Sequence, residues 1–89
     1  MKKQIIFEEI DRRDCKNLTQ DILENVGKKI RKMRLEGGIS QLDSAFYLFA
    51  EKSFISNLEN GKVKNTTLLT LVKIAELFKI KVEDLLKDD

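Results

Sequence analysis

The stretch from Ser40 to Gly61, SQLDSAFYLFAEKSFISNLENG, constrains the chain more than any other, because two apolar sets at helical spacing follow each other with only a few residues between them. It has room for two short helices and a tight turn. Ser40 can accept a hydrogen bond from an unpaired backbone N–H at the head of a helix, and Leu42, Ala45, Leu48 and Phe49 then recur with helical period. A first helix from Gln41 to Leu48 or Phe49 is the expectation. Phe54, Ile55 and Leu58 form the second set, with Lys52, Ser53, Ser56, Asn57 and Asn60 on the other side. Gly61 ends this second helix, since glycine enters the left-handed region after a helix without a side-chain clash.

The polar side of the second helix is short and basic. Lys, Ser and Asn carry the donors and acceptors that reach base edges and phosphate oxygens. A helix of this length spans roughly 12 Å, comparable with the roughly 12 Å width of a DNA major groove. Taken as residue types alone, the same pattern also describes an ordinary amphipathic helix with a solvated face.

A family resemblance separates the two readings. Ser40, Gln41, Ala45, Ser53, Phe54, Ile55, Ser56, Leu58, Glu59 and Gly61 fall without a gap on a known pattern. It is a Ser-Gln start, an Ala five residues after that Ser, then Ser-(Tyr/Phe)-Ile-Ser-x-(Leu/Ile)-Glu-x-Gly, and it resembles the helix-turn-helix of Cro and repressor (XRE-like) DNA-binding domains. VGKKIRKMRLEGGIS is similar to the family's first helix and NTTLLTLVKIAELFKIKVEDLL to its last two, so the resemblance runs from Val26 to Leu86. It implies an all-α, compact five-helix repressor-like bundle. The helix opening at Lys52 would be the recognition helix, with Lys52, Ser53, Ser56 and Asn57 as base readers. Ser40 and Gln41 would clamp the DNA backbone at the head of the preceding helix, and Lys62 and Lys64 would touch phosphate from the loop. Glu59 would support the fold by hydrogen bonding or an ion pair. Three positions depart from the pattern: Ser44 where Leu is common, Phe49 where Gly or Asn is common, and Glu51 where Ser or Asp is common. Ser44 would remove an apolar core contact. A left-handed conformation at Phe49 costs an L-residue roughly 1 to 2 kcal/mol, so either the first helix extends past Leu48 or the turn is reshaped. Phe46, Tyr47 and Phe49 form an aromatic cluster expected to join the core, with partial exposure toward a partner as the alternative.

The rest of the chain fits that frame. Its 89 residues suit one domain with a modest core. No apolar run is long enough to span a bilayer and no signal-peptide pattern follows Met1, so a cytoplasmic protein without membrane attachment is expected. With one cysteine, Cys15, and no histidine, Cys/His metal sites are excluded and no cofactor is expected. The absence of histidine, of a phosphate-cradling glycine loop and of a nucleophile elbow argues against an enzyme. The net charge is only +2, yet residues 28–64 carry eight basic side chains against four acidic ones, placing the positive excess in and beside the proposed reading unit.

Residues 1–18 read as an N-terminal arm or extension, residues 19–89 as the DNA-binding domain. QIIFEEI fits either a short strand with Ile5 and Phe7 on one face or a helical turn pairing Ile6 with Ile10. Thr19 is expected to cap a helix from Gln20 to Glu36, with Leu18 and Leu23 as a hydrophobic staple. Ile22, Leu23, Val26, Ile30, Met33 and Leu35 make its apolar stripe, interrupted by Gly27, and Lys28, Lys29, Arg31, Lys32 and Arg34 its basic face. Thr67 should cap a helix bearing Leu68, Leu71, Val72, Ile74, Ala75, Leu77 and Phe78, apolar on several sides and therefore the most buried. Ile80, Val82, Leu85 and Leu86 supply a short last helix and, with the N-terminal apolar cluster, a surface for dimerisation.

The expected partner is double-stranded DNA, bound by a homodimer acting as a repressor or controller of transcription, like phage Cro-like repressors and restriction-modification controller proteins. Two other readings stay open: an antitoxin-type protein that binds a toxin and represses its own operon, and a domain that binds only proteins.

Overall fold

The computed structural model describes residues 12–88 as five helices with no strand among them: α1 (Arg12–Gly37), α2 (Gln41–Tyr47), α3 (Lys52–Glu59), α4 (Leu68–Phe78) and α5 (Val82–Leu86). The alternatives for residues 4–10 lie outside the described residues. Four helices start or stop where local chemistry dictates. Ser40 Oγ accepts from Asp43 N at 2.9 Å and caps α2, and Thr67 Oγ1 accepts from Thr70 N at 3.2 Å and caps α4. The expected start of the first helix is corrected. Thr19 lies inside α1, its hydroxyl donating to Cys15 O one turn back at 2.8 Å, and Leu18 is exposed rather than stapled to Leu23.

One device closes α1, α2, α3 and α4: a pair of reverse hydrogen bonds around a residue with positive φ. In α2 the pair is Ala50 N to Ala45 O (2.9 Å) and Phe49 N to Phe46 O (3.2 Å), with Phe49 at φ 53°. The turn is therefore not reshaped around Phe49, and α2 does not run past it. The same pair surrounds Gly38 after α1, Gly61 after α3 and Lys79 after α4, so two of the four ends do without glycine.

The core runs through all five helices: Leu23, Val26 and Ile30 from α1, Ala45 and Leu48 around the end of α2, Ile55 and Leu58 from α3, Ile74 and Ala75 from α4, and Leu85 from α5. Gly27, the break in the apolar pattern of α1, is buried in the stripe, and a Cβ there would lie 1.9 Å from Leu58 O. The backbones of α1 and α3 meet at this point, a separation that only glycine permits. Ser44 is also fully buried, and it satisfies its hydroxyl by donating to Ser40 O at 3.0 Å, so a polar side chain fills a core position without an orphaned group.

Burial differs from expectation on one side of the molecule. α4 is not the most buried helix: Ile74 and Ala75 are its buried residues, whereas Leu68, Leu69 and Val72 are exposed. Leu42 is exposed as well, and the aromatic cluster stands outside the core, with Phe46 83% and Phe49 92% exposed and Tyr47 half out. These side chains sit on the faces of α2 and α4 that no helix among the described residues covers. Conversely, Leu85 is fully buried, and Ile80, Val82 and Leu86 are half-buried against the core. Lys29 holds α5 down from α1: its ammonium donates to Asp84 O at 3.0 Å and to Lys87 O, at the carboxyl end of that helix.

Candidate nucleic-acid interface

The seat of α3 is built from beneath. Ile55 and Leu58 are fully buried and Phe54 half-buried, so one side of the helix is fixed against α1 and α2. Glu59, on the last turn, meets Arg34 of α1 in a fork: Nε to Oε2 and Nη2 to Oε1, both 2.9 Å. Arg34 Nη1 also donates to Ile39 O at 3.2 Å, tying the α1–α2 connection to the same group. Hydrogen bonding to Glu59 raises the guanidinium's pKa above its ordinary value; desolvation opposes this and the carboxylate's charge adds to it. The supporting role expected of Glu59 is thus present. Arg34 is corrected: it belongs to this buried pair and not to the solvated basic face.

Fixing that side leaves the other free. Lys52, Ser53, Asn57 and Asn60 are exposed and Ser56 is half-buried, a continuous edge that no segment among the described residues covers. Ser53 Oγ donates to Glu51 Oε2 at 3.3 Å, and Asn60 Nδ2 lies 3.5 Å from Ser56 Oγ. Lys52 occupies the first position of α3, where a cation opposes the helix dipole by roughly 0.3 to 1 kcal/mol. Stability alone would not place it there. Glu51 just before it makes no side-chain cap to the backbone. Sequence reasoning treated Glu51 only as a departure from a pattern, yet its carboxylate is an acceptor of the kind that can take a cytosine N4 hydrogen bond.

The four residues assigned to phosphate divide. Lys62 and Lys64 are exposed on the loop after α3. Ser40 is exposed, but its hydroxyl already caps α2. Gln41 is half-buried and its Nε2 lies 3.4 Å from Glu59 Oε1, so it also touches the buried ion pair. Any phosphate at the head of α2 would also meet the charge of Asp43 in its first turn. Among the described residues no group of acidic or cysteine side chains is arranged to hold a metal ion, and no helix is long and apolar enough to cross a membrane.

The comparisons agree with this geometry. Among solved structures the chain is similar to the restriction-modification controller protein C.AhdI from Aeromonas hydrophila, with 28% identity and a TM-score of 0.64 over 71% of this chain and 94% of that one. It is also similar to the clp gene regulator ClgR from Corynebacterium glutamicum, with 22% identity and a TM-score of 0.67 over 73% and 68% of the two chains, a likeness that shows the fold alone. No curated protein matches. The helix-turn-helix family profile matches residues 30–85, from the middle of α1 to α5, and with α3 seated on α1 and its polar edge uncovered, the chain belongs to the Cro/repressor-type (XRE-like) family of helix-turn-helix DNA-binding domains.

Proposed function

We propose that the protein is a transcriptional regulator, a repressor or controller, that reads a paired operator as a homodimer by laying the free edge of α3 in the major groove. The observation that carries this reading is the contrast within one helix: Ile55, Leu58 and Glu59 are locked underneath while Lys52, Ser53 and Asn57 are exposed above. Lys52 suits guanine O6/N7 and Asn57 suits adenine N6/N7, and a good bidentate pair discriminates by roughly 1 to 3 kcal/mol. Ser53 and Ser56 complete the edge, while Ser40, Gln41, Lys62 and Lys64 position the backbone. So small a unit makes few base contacts, which is why pairing of two copies on half-sites one DNA turn apart is part of the proposal.

The similarity to a restriction-modification controller protein supports the controller form of the reading. The exposed aromatic side chains of α2 give the antitoxin-type alternative its footing, since a protein partner is what such a surface would contact. The test is binding to DNA from upstream of the protein's own gene. Lys52→Ala combined with Asn57→Ala should lower the preference for that DNA over random duplex while leaving helicity by circular dichroism intact. An unchanged ratio overturns the assignment of the readers, and a toxin-like protein co-purifying in place of DNA binding would move the reading to the alternative.

A further inference from the structure

The buried stripe of α1 does not stop at Leu23. Stepping back by helical periods, Gln20, Thr19 and Lys16 occupy the same stripe as Leu23, Val26 and Ile30, and there the apolar pattern turns polar. These residues face the loop after α3. Cys15, Lys16, Asn17, Thr19, Gln20, Lys64 and Asn65 line a single cleft between the start of α1 and that loop. Among the described residues no carboxylate lines it, whereas Asp21, Glu24 and Asp88 all line the polar cleft between α1 and the C-terminal residues. Asp14 lies about 200° around the helix from Lys16, at roughly 100° per residue, and points to the other side. Neither Lys16 nor Lys64 pairs with a carboxylate among the described residues. Asn65 accepts from Thr66 N with its side-chain oxygen at 2.9 Å, which leaves the amide N–H donors as what it can offer a ligand.

Two cations and several neutral donors, with no acid beside them among the described residues, suit a phosphodiester. The walls of the cleft join Lys64, on the loop already assigned to the DNA backbone, to a part of α1 that precedes the family match at residue 30. We infer that this cleft is an additional DNA-backbone site, in which Lys16 and Lys64 flank a phosphate and Asn17, Gln20 and Asn65 donate to its oxygens. This rests on the DNA-binding reading above and extends it to a segment the two-helix unit does not include. The site carries no sequence information, so it adds affinity and register but not base preference.

Because Cys15 is the chain's one cysteine and is exposed in this cleft, it reports on occupancy directly. The probe is a fluorescent duplex of arbitrary sequence, long enough for about two helical turns, titrated with the full chain at several salt concentrations. Lys16→Gln should weaken binding equally on this duplex and on DNA from upstream of the gene, and should flatten the plot of log affinity against log salt by about 0.9, the contribution of one phosphate. The duplex should also slow maleimide labelling of Cys15 severalfold. An unchanged slope, or labelling of Cys15 at the same rate with DNA bound, overturns the site while leaving the reading of α3 in place. Failure of the wild-type chain to bind either duplex would overturn both. Lys16→Arg should restore the slope, which a merely structural role at this exposed position would not explain.

Discussion

The junction of α1 with α3 and the edge where α2 approaches α4 are built in opposite ways. At the first, a glycine lets two backbones meet, and a forked ion pair closes the end of the contact. At the second, Phe46, Tyr47 and Phe49 line an open groove with Val72, Lys73 and Glu76, while Leu68 and Leu69 continue the apolar face along α4. One surface admits a single arrangement, and the other leaves apolar area in water. The contrast shows where positional precision is needed. On the proposed reading α3 meets base edges and must be held to within a fraction of an ångström, which its over-determined seat provides, whereas that reading places no such demand on the outer faces of α2 and α4.

Breaking the sealed side should have the largest effect. Arg34→Met leaves Glu59 buried without its partner, and removing one member of a buried pair typically costs about 3 to 5 kcal/mol. Urea unfolding monitored by circular dichroism measures it. Adding Glu59→Leu should recover most of the loss, because replacing both partners by apolar groups removes the uncompensated charge. A single-variant loss below about 1 kcal/mol would mean that water reaches the pair and that the junction is less closed than its geometry indicates.

The next effect is one of sign. Gly27→Ala and Gly37→Ala are the same substitution in the same helix. At Gly37 the new Cβ meets nothing closer than Ile39 Cδ1 at 3.6 Å, so the reduced freedom of the unfolded chain should stabilise the protein by roughly 0.4 to 1 kcal/mol. At Gly27 the Cβ would overlap Leu58 O, a backbone atom that cannot swing aside, and a loss of about 3 kcal/mol is expected. Thermal melts of the two variants side by side decide it. Equal shifts would show that α1 and α3 can separate without penalty.

How much of this was legible follows from how local each signal is. Ser40, Thr67 and Gly61 act within a turn of the residues they cap, and the bounds of α2, α3 and α4 are legible for that reason. The extent of α1 is not legible at Thr19, a cap by residue type whose hydroxyl turns back to Cys15 O inside the helix. Gly27 and Arg34 were misread because their partners are distant in the chain. Gly27 touches Leu58 and Arg34 touches Glu59, and a stripe of periodic positions says nothing about what lies opposite. A signal did exist for Arg34, which lies four residues beyond Ile30 on the buried stripe, with Glu59 expected to need a partner. For Phe46, Leu68 and Val72 the rule itself fails, since apolar residues are often exposed and periodicity cannot tell a core face from an uncovered one. At the candidate interface, the position of α3 and its polar edge were legible, while Gln41's contact with Glu59 and the polar cleft at Lys16 required three dimensions.

The smallest effect probes the open side, through the residue that joins it to the turn. Phe49 holds φ at 53°, which costs an L-residue roughly 1 to 2 kcal/mol, and it is almost wholly exposed, so burial returns little of that. Its ring lies beneath Lys73 Nζ, 5.7 Å from the centroid, a contact worth about 0.5 to 1 kcal/mol at an exposed site. Glycine removes the strain but also loses the ring contact and gains freedom in the unfolded chain, a further loss of roughly 0.4 to 1 kcal/mol. Phe49→Gly should therefore move the urea midpoint by an amount equivalent to less than about 1 kcal/mol in either direction, far below the change at Gly27. Phe49→Asn, which tolerates the left-handed region with less added freedom, should be the more stable of the two. If either variant instead unfolds the domain, the aromatic ring is structural and the distinction between a sealed and an open side fails. If stability holds while self-association in sedimentation falls, the strain at Phe49 is retained for what the outer face of α2 contacts.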